Sequence, residues 1–497
     1  MSLVLGVDVG SQSIKVVLVD EGGDVVATGA AALSMTHAHD GWAEQDPQSY
    51  CAALRDAVHA ATVGVDPTRV VAMGLGSQVD GVVACDAEGR PLRPAIIWLD
   101  KRATEQCDRL VAAVGVQALA ERTGLVADAS HSAPKMMWIR DHEPPVWQRT
   151  ATLAPVGSYL LHHLTGSHAQ DAANASSTMV YDVTRGDFDG SLCTAADLDP
   201  SMFAPVRPST DVAGTLLPGI AAEFGLPAEC EVVVGTGDEH AASVGAGAIE
   251  AGVVVDVTGT AEPVTTVSAT PVRDPLGLVE THGHAVPGAW LIENPGFVSG
   301  GSTLWLAGLL GIPQAEVFPL ACKAPPASEG VLFLPALSGA TAPRWNDMMR
   351  GGLLGLAMNH TPAHVARAVL EGCAFALRDI VDRLDALGLG QGEVRIVGGG
   401  ARDNLWATIK ASVLGRPVRR VLTEEATAVG AAMVAGVGTG FFADFTAASA
   451  AVRLAPTAIE PDPEATKTYA DAYRRYLAAF DAVESALAQP HLLARPT

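Results

Sequence analysis

The chain has 497 residues, a net charge of −23, 48% hydrophobic residues and 18% charged ones; it is too long for one ordinary core, and two or more domains are expected. Its acidity argues against nucleic acid or an anionic membrane as partner, while leaving room for local phosphate pockets. Seven scattered cysteines with no C-x-x-C pair argue against a disulfide framework or structural zinc, no uninterrupted apolar run reaches the ~18–20 residues of a membrane span, and the N-terminus enters a strand with no export signal, so a reducing cytoplasm is expected.

Residues 3–9, 14–20 and 24–28 read as three successive strands, with Gly22-Gly23 as a hairpin turn between the last two. Pro47 opens a helix through Ala61, and Val70 to Leu75 returns as a strand. Three antiparallel strands followed by helix and strand is an α/β arrangement of the ribonuclease-H type. The start is echoed downstream. GVVVDVTGTAEPVTTV, from Gly252 to Val267, is again strand, Gly-hydroxyl turn and strand, with Gly259-Thr260 opposite Gly10-Ser11 and Val257 opposite Asp8. The echo predicts two related domains facing each other across a cleft, divided near 247–252: residues 1–247, 252–445, and a tail over 446–497. The second half continues with a helix from about Ser302 and a strand over Val331 to Pro335. A long helix after Thr361-Pro362 carries Val365, Val369, Cys373, Ala376 and Ile380 at helical period. Glu393 to Val397 is a strand, Gly398-Gly399-Gly400 a turn, and Asp403 to Leu414 a helix. The tail from Pro463 presents a stripe of Tyr469, Tyr473, Tyr476, Phe480 and Val483, expected to pack on the body.

Four stretches carry chemistry-bearing side chains. Backbone amides at Gly10-Ser11-Gln12 make an anion nest to which Lys15 adds charge, although the stretch is equally a plain hairpin turn. The echo at Gly259-Thr260 favours two phosphate-sized turns serving a nucleotide, with Asp8 holding a hydrated Mg²⁺. In VVVGTGDEHAASVG (232–245) a buried strand ends in Gly235-Thr236-Gly237, and Asp238 stands near a helix N-terminus. It is either a cap or a general base accepting a proton from a substrate hydroxyl. Gly76-Ser77-Gln78-Val79-Asp80-Gly81 lies at a strand's carboxyl end, where ligands bind, or is simply a polar turn. Asp80 and Glu239 would make a negative pocket suited to a neutral polyhydroxylated ligand and hostile to a sugar acid. Gly398-Gly399-Gly400-Ala401 with Asn404 is not a dinucleotide fingerprint, but its glycines admit a flat adenine ring; a plain strand–helix turn is the alternative. Histidines 37, 39, 282 and 284 form H-x-H pairs without H-E-x-x-H and read as surface or packing residues rather than metal ligands. No G-x-S-x-G supports a serine hydrolase.

Together these stretches resemble the FGGY carbohydrate kinases, and within them most closely the xylulokinases. The resemblance runs through GVDVGSQSIK (6–15), GWAEQDP (41–47), GSQVDG (76–81), RPAIIWLDKR (93–102), GTGDEHAASVGAG (235–247), FLPALSGATAP (333–343), RAVLEGCAFALRD (367–379) and GGGARDNLW (398–406). It implies two actin-like domains that close on ATP and a sugar, with Asp238 as base and Asp8 as the Mg²⁺-associated aspartate. It sets Gly10, Ser11, Gln12 and Thr260 at phosphates and Gly300, Gly400 and Asn404 in nucleotide-binding segments; a homodimer is compatible with it. Two departures stand out. The xylulokinase motif ends Met-His-Gly where this chain has Val79-Asp80-Gly81, which bears on the sugar. Glu262 replaces a small residue, and the sequence supplies no reason for it. An ATP-dependent kinase of a neutral ketose, a xylulose-like pentulose, is therefore expected, with a polyol kinase (glycerol, erythritol or a pentitol) as the alternative. An actin-like ATPase without sugar would leave Gln78, Asp80 and Glu239 without a task.

Overall fold

The computed structural model describes residues 2–340, 344–346 and 348–487. The chain forms two compact units. One takes residues up to 250 with 267–292 and 425–452; the other takes 251–266, 293–424 and the residues from 453 onward.

In the first unit, strand Leu3–Val9 pairs antiparallel with Ser13–Asp20, which pairs antiparallel with Val25–Ala32. On its other side Leu3–Val9 runs parallel to Val70–Ser77, and the sheet continues through Glu231–Val233 to Val212–Thr215. The strands are almost continuously apolar because both faces are covered. Leu5, Val7, Ile14 and Val16 pack with Tyr50, Leu54 and Val58 of helix Pro47–Thr62. That helix starts where expected: Asp46 accepts the Gln48 N–H at 3.0 Å, and Pro47 opens the first turn. The opposite face, with Val4, Val17 and Ala72, packs on Ala428 and Ala432 of helix Ala426–Gly438. This helix lies so close that a Cβ at Gly6 would stand 1.9 Å from the Ala428 carbonyl oxygen, and one at Gly74 2.2 Å from that of Ala431.

By contacts, part of the expected 252–445 domain groups with the first unit. Residues 267–292 and 425–452 belong to the first unit. The reason is the glycine- and alanine-lined seat for helix Ala426–Gly438, a contact more than 350 residues away in sequence that no local pattern announces.

The second unit repeats the opening topology. Val253–Val257 pairs antiparallel with Val264–Ser268 and parallel with Glu393–Val397, which pairs parallel with Val418–Arg420. Helix Pro362–Ala386 buries Val369, Cys373, Ala376 and Ile380. Helix Pro463–Leu487 buries Tyr469, Tyr473, Tyr476 and Phe480 of the predicted stripe, and Val483 is half-buried. Three of those tyrosines ring Phe375 at centroid distances of 5.4–6.1 Å. Tyr469 donates to Glu371, which is ion-paired with Arg367 at 2.8 Å. Residues 488–497 of the predicted tail and 341–343 of the FLPALSGATAP stretch lie outside the described residues. Among the described residues no single helix is long and apolar enough to cross a membrane.

Candidate functional site

Register assembles the first unit's site. Asp8 lies opposite Gly76 in the parallel pair and opposite Lys15 in the antiparallel one. Thr236 and Gly237 pair with Gly76 and Ser77. One sheet end therefore carries Asp8, the Gly10-Ser11-Gln12 turn, Gln78-Val79-Asp80, and Asp238 as first residue of helix Asp238–Gly245.

Side chains hold the turn from behind. Gln45 donates to the Ser11 carbonyl at 2.8 Å, the Leu33 N–H to that of Gln12 at 2.8 Å, and Gln78 to that of Gly10 at 3.4 Å. Because each peptide's N–H opposes its C=O, the amides of Ser11 and Gln12 are turned the other way. The Gly10 amide is instead spent within the turn, on Ser13. Lys15 departs from expectation: its ammonium bridges Glu425 at 2.8 Å.

Asp8 is raised to about 7, chiefly by burial; Lys15 opposes the rise and Glu425 adds to it. Asp238 is raised well above the carboxylate range, first by burial and then by the charges of Glu239 and Asp8. A carboxylate so placed has lost its solvent shell and gained negative neighbours, which is the environment that tunes a base. Gln78 is fully buried. Its amide nitrogen reaches Gln45 at 3.0 Å, while its Oε1 has no partner among the described residues. Val79 packs against Gly237, beside Asp238: a Cβ there would meet its Cγ1 at 2.7 Å. Asp80 sits at φ 62°, a left-handed conformation that Asp tolerates better than most residues. Its Oδ1 lies 3.0 Å from His131 Nδ1, and its carbonyl accepts from Lys135 at 2.8 Å. Glu239 is half-buried beside Asp238.

The motifs at 41–47 and 93–102 turn out to brace this unit. Glu44 accepts from Arg93 at 2.5 Å and Arg102 at 2.7 Å, and Arg102 lies 3.6 Å over the Trp42 ring. Asp100, fully buried, pairs with Arg102 and accepts the Ala43 N–H.

The second unit brings Thr260, Gly300, Gly400 and Asn404 to one end of its sheet. Gly300 N–H donates to the Gly259 carbonyl at 3.0 Å, and Gly400 N–H to that of Thr258 at 3.2 Å. A Cβ at Gly300 would lie 2.4 Å from the Gly259 oxygen, and one at Gly400 2.5 Å from Thr258 Cγ2. Thr260 and Asn404 are exposed, and Asn404 opens helix Asn404–Leu414. Two helix N-termini beside a glycine turn suit an anionic ligand. An adjoining cavity of about 200 Å³ is lined by Gly398, Ala401, Arg402, Arg420, Leu422 and Glu424, among others.

Glu262 now has an account. Lys410, fully buried, lies 2.7 Å from Asp256, 2.6 Å from Thr258 Oγ1 and 3.0 Å from Glu262; Ser299 donates to the other Glu262 oxygen. Burial, and then Asp256, raise Glu262 to about 8 against the pull of Lys410. The network sits directly beneath the Thr258-Gly259-Thr260 turn. Sequence reading missed Lys410, Glu425, His131 and Glu280. The one available signal was Glu262 itself, a charge inside an apolar segment that requires a buried partner. His282 and His284 are buried, as packing residues are, whereas His37 and His39 are exposed. Among the described residues no metal-ligating cluster occurs.

Known proteins share the fold and its two-part organisation. The N-terminal domain of the FGGY family of carbohydrate kinases matches residues 3–245, and its C-terminal domain matches 254–439. The chain is 32% identical to a xylulose kinase of Escherichia coli, over 88% of this chain and 90% of the relative. It is 35% identical to a glycerol kinase of Thermus brockianus, over 88% and 90% respectively. The crystal structure of xylulose kinase from Rhodospirillum rubrum superposes with a TM-score of 0.89 at 30% identity, covering 98% of this chain and all of that one. The two-unit α/β fold, the duplicated strand–turn–strand and the paired domain matches lead to one conclusion: the chain belongs to the FGGY family of carbohydrate kinases, phosphotransferases acting on sugars and polyols.

Proposed function

We propose that this kinase transfers the γ-phosphoryl group of ATP to a terminal hydroxyl of a neutral ketose, a pentulose of the xylulose type. The observation that carries this reading is Asp238, half-buried beside Glu239 at the sheet end that carries Asp8, with its carboxyl raised well above the usual range. In the proposed reaction Asp238 accepts the proton of the attacking hydroxyl, and that carboxyl's affinity for a proton is the driving force. Gln78 Oε1 offers a buried acceptor to a substrate hydroxyl. Asp80 and Glu239 add negative charge that disfavours a sugar acid. The Ser11 and Gln12 amides are assigned to an anionic group bound at the first unit's site, and Thr260, Gly300, Gly400 and Asn404 of the second unit to a nucleotide. Lys15, paired with Glu425 and part-exposed, is assigned to add positive charge beside the turn.

The donor set fits Mg²⁺ in type, because Asp8 is a hard oxygen donor at the sheet end that also carries the Gly10-Ser11-Gln12 turn. Asp8 would hold the ion. When bound, it would supply positive charge to the phosphate oxygens.

A second reading, a polyol kinase, is supported by the glycerol kinase relative, whose 35% identity is no lower than the 32% to the xylulose kinase. ADP release with Mg-ATP, measured across D-xylulose, L-xylulose, D-ribulose, D-fructose, glycerol, erythritol and the pentitols, separates them. The proposal expects a sharp response to one pentulose, abolished in Asp238→Ala with ATP binding retained. A response to glycerol alone would select the polyol reading, and near-wild-type turnover of Asp238→Ala would remove the base assignment.

A further inference from the structure

Behind Asp80 the first unit contains a buried chain of charges that the phosphoryl-transfer reading leaves without a task. Both ring nitrogens of His131 face carboxylates: Nδ1 lies 3.0 Å from Asp80 Oδ1, and Nε2 lies 3.3 Å from Glu280 Oε1. Nε2 also lies 3.1 Å from the Val126 carbonyl oxygen. A neutral imidazole has one donor and one acceptor nitrogen, and here both nitrogens meet acceptors. Glu280 is itself fixed, accepting the Val126 N–H at 3.0 Å and lying 3.6 Å from His282. The side chains of His131 and Glu280 are each 5% exposed. Burial works against the charged ring, yet Asp80 and Glu280 outweigh it and hold His131 well above its ordinary value; His131 in turn holds Glu280 down at about 2. Asp80 is the only member with a path outward, at 15% side-chain exposure. Its backbone is anchored as well, since Lys135 donates to its carbonyl and to that of Ser130.

The geometry points to His131, braced by Glu280, as the positioning residue of the sugar subsite: a buried imidazolium that fixes one oxygen of Asp80 and aims the other at a substrate hydroxyl. The ligand class follows from the chemistry. An anion with one oxygen spent on His131 keeps lone pairs for an O–H donor. It accepts a hydroxyl-bearing carbon and rejects a carboxylate or a deoxygenated position. Asp80 is held in place before substrate arrives, so less ordering is needed on binding. This inference rests on the proposed reading in taking Asp80 as part of the acceptor pocket; the buried imidazolium does not depend on which acceptor is used.

The test is a double-mutant cycle with histidine NMR on the full chain. His131→Phe keeps the ring volume and removes the charge. It should raise KM for whichever acceptor the wild type phosphorylates by about tenfold or more, the range of a lost hydrogen bond to a charged group. KM for ATP should stay within about twofold. In an Asp80→Asn background the same change should add nothing, because its effect travels through Asp80. Additive losses, or an unchanged acceptor KM in His131→Phe, would overturn the positioning role. Should His131→Phe not fold, His131→Gln, which retains a donor toward Asp80, takes its place and should show a smaller KM rise in the same direction. Nitrogen-15 spectra of the wild type should show one histidine that keeps both nitrogens protonated above the pH at which ordinary histidines have lost a proton, missing in the variant; a neutral ring there would refute the clamp. An acceptor panel with no response would count against the proposed function alone, and the spectra would still decide the imidazolium.

Discussion

Gly430→Ala should damage both stability and turnover, although alanine is the better helix former. Helix Ala426–Gly438 and helix Asp238–Gly245 meet backbone to backbone. A Cβ at Gly430 would stand 1.8 Å from the Ala241 carbonyl oxygen and 2.8 Å from the Gly245 nitrogen; one at Gly245 would stand 2.0 Å from the Ala426 oxygen. Ordinary contact begins at 3.4 Å, so a shortfall of 3.4 − 1.8 = 1.6 Å must be taken up by parting the helices. Both partners are backbone and cannot rotate away. Overpacking of this kind costs about 1–3 kcal/mol or more, against a gain of about 1 kcal/mol from replacing helical glycine. The net is a loss of up to about 2 kcal/mol, more where the overpacking exceeds that range, with a fall in Tm of about 2–4 °C per kcal/mol for a unit of this size. The kinetic effect is larger. Asp238 is the first residue of the displaced helix, and a shift of about 1 Å at a reacting group costs about 10²-fold in rate. Gly308→Ala is the control: Gly308 is helical, exposed, and has nothing within 4 Å of its missing Cβ, so the same substitution should raise stability by up to about 1 kcal/mol. Thermal unfolding and initial-rate kinetics on the two variants decide the matter. If Gly430→Ala matched Gly308→Ala in sign, with kcat unchanged, the close approach would not govern where Asp238 stands.

Two further outcomes follow from the second unit. Lys410→Met leaves Asp256 buried without its cation, beside a Glu262 that holds its proton, and should cost about 3–5 kcal/mol in urea unfolding; a change under about 1 kcal/mol would mean that Asp256 is solvated or already neutral. Glu262 keeps its proton to about pH 8 in the fold, against 4.5 for an ordinary glutamate. Between those values the folded chain binds the extra proton, so its contribution is full below pH 4.5 and is lost as pH rises through 8. The slope is at most about 1.4 kcal/mol per pH unit. Glu262→Gln should flatten this part of the Tm–pH curve, and an unchanged curve would refute the assignment.

Much of the fold was readable because its signals are local. The strand–turn–strand at 3–20 and its echo at 253–268 announce themselves through apolar runs interrupted by glycine and a hydroxyl. The helices at 47–62 and 362–386 show a capping residue, a proline and a 3.6-residue period. The assignment of 425–452 was not readable. Ala426–Gly438 is apolar on every side, so periodicity gives it no preferred face, and only the glycines at 6, 74, 245 and 430 record where it docks. The candidate site divides the same way. Residues carried by short motifs, Asp8, Asp238 and Gly400, stand where their strand ends and turns put them. Residues whose role is set by a distant partner stayed silent: Lys15 through Glu425, Asp80 through His131, Glu262 through Lys410.

The two echoed turns stabilise themselves by opposite electrostatic means, and this explains why one repeat keeps a carboxylate at its mouth and the other does not. In the second unit the strand's acid, Asp256, points inward one residue before the position matching Asp8, and Lys410 neutralises it from within while donating to Thr258 at the turn. That turn is rigid and locally balanced, a seat for an anion. In the first unit Lys15 pairs with Glu425, and Asp8 stands half-buried with a raised carboxyl near Asp238. The imbalance destabilises the site, because two neighbouring carboxyls compete for protons. In the proposed reaction a cation and a substrate hydroxyl relieve it. A duplicated turn has thus diverged in charge, one copy compensated by the protein and the other left to be compensated by what binds.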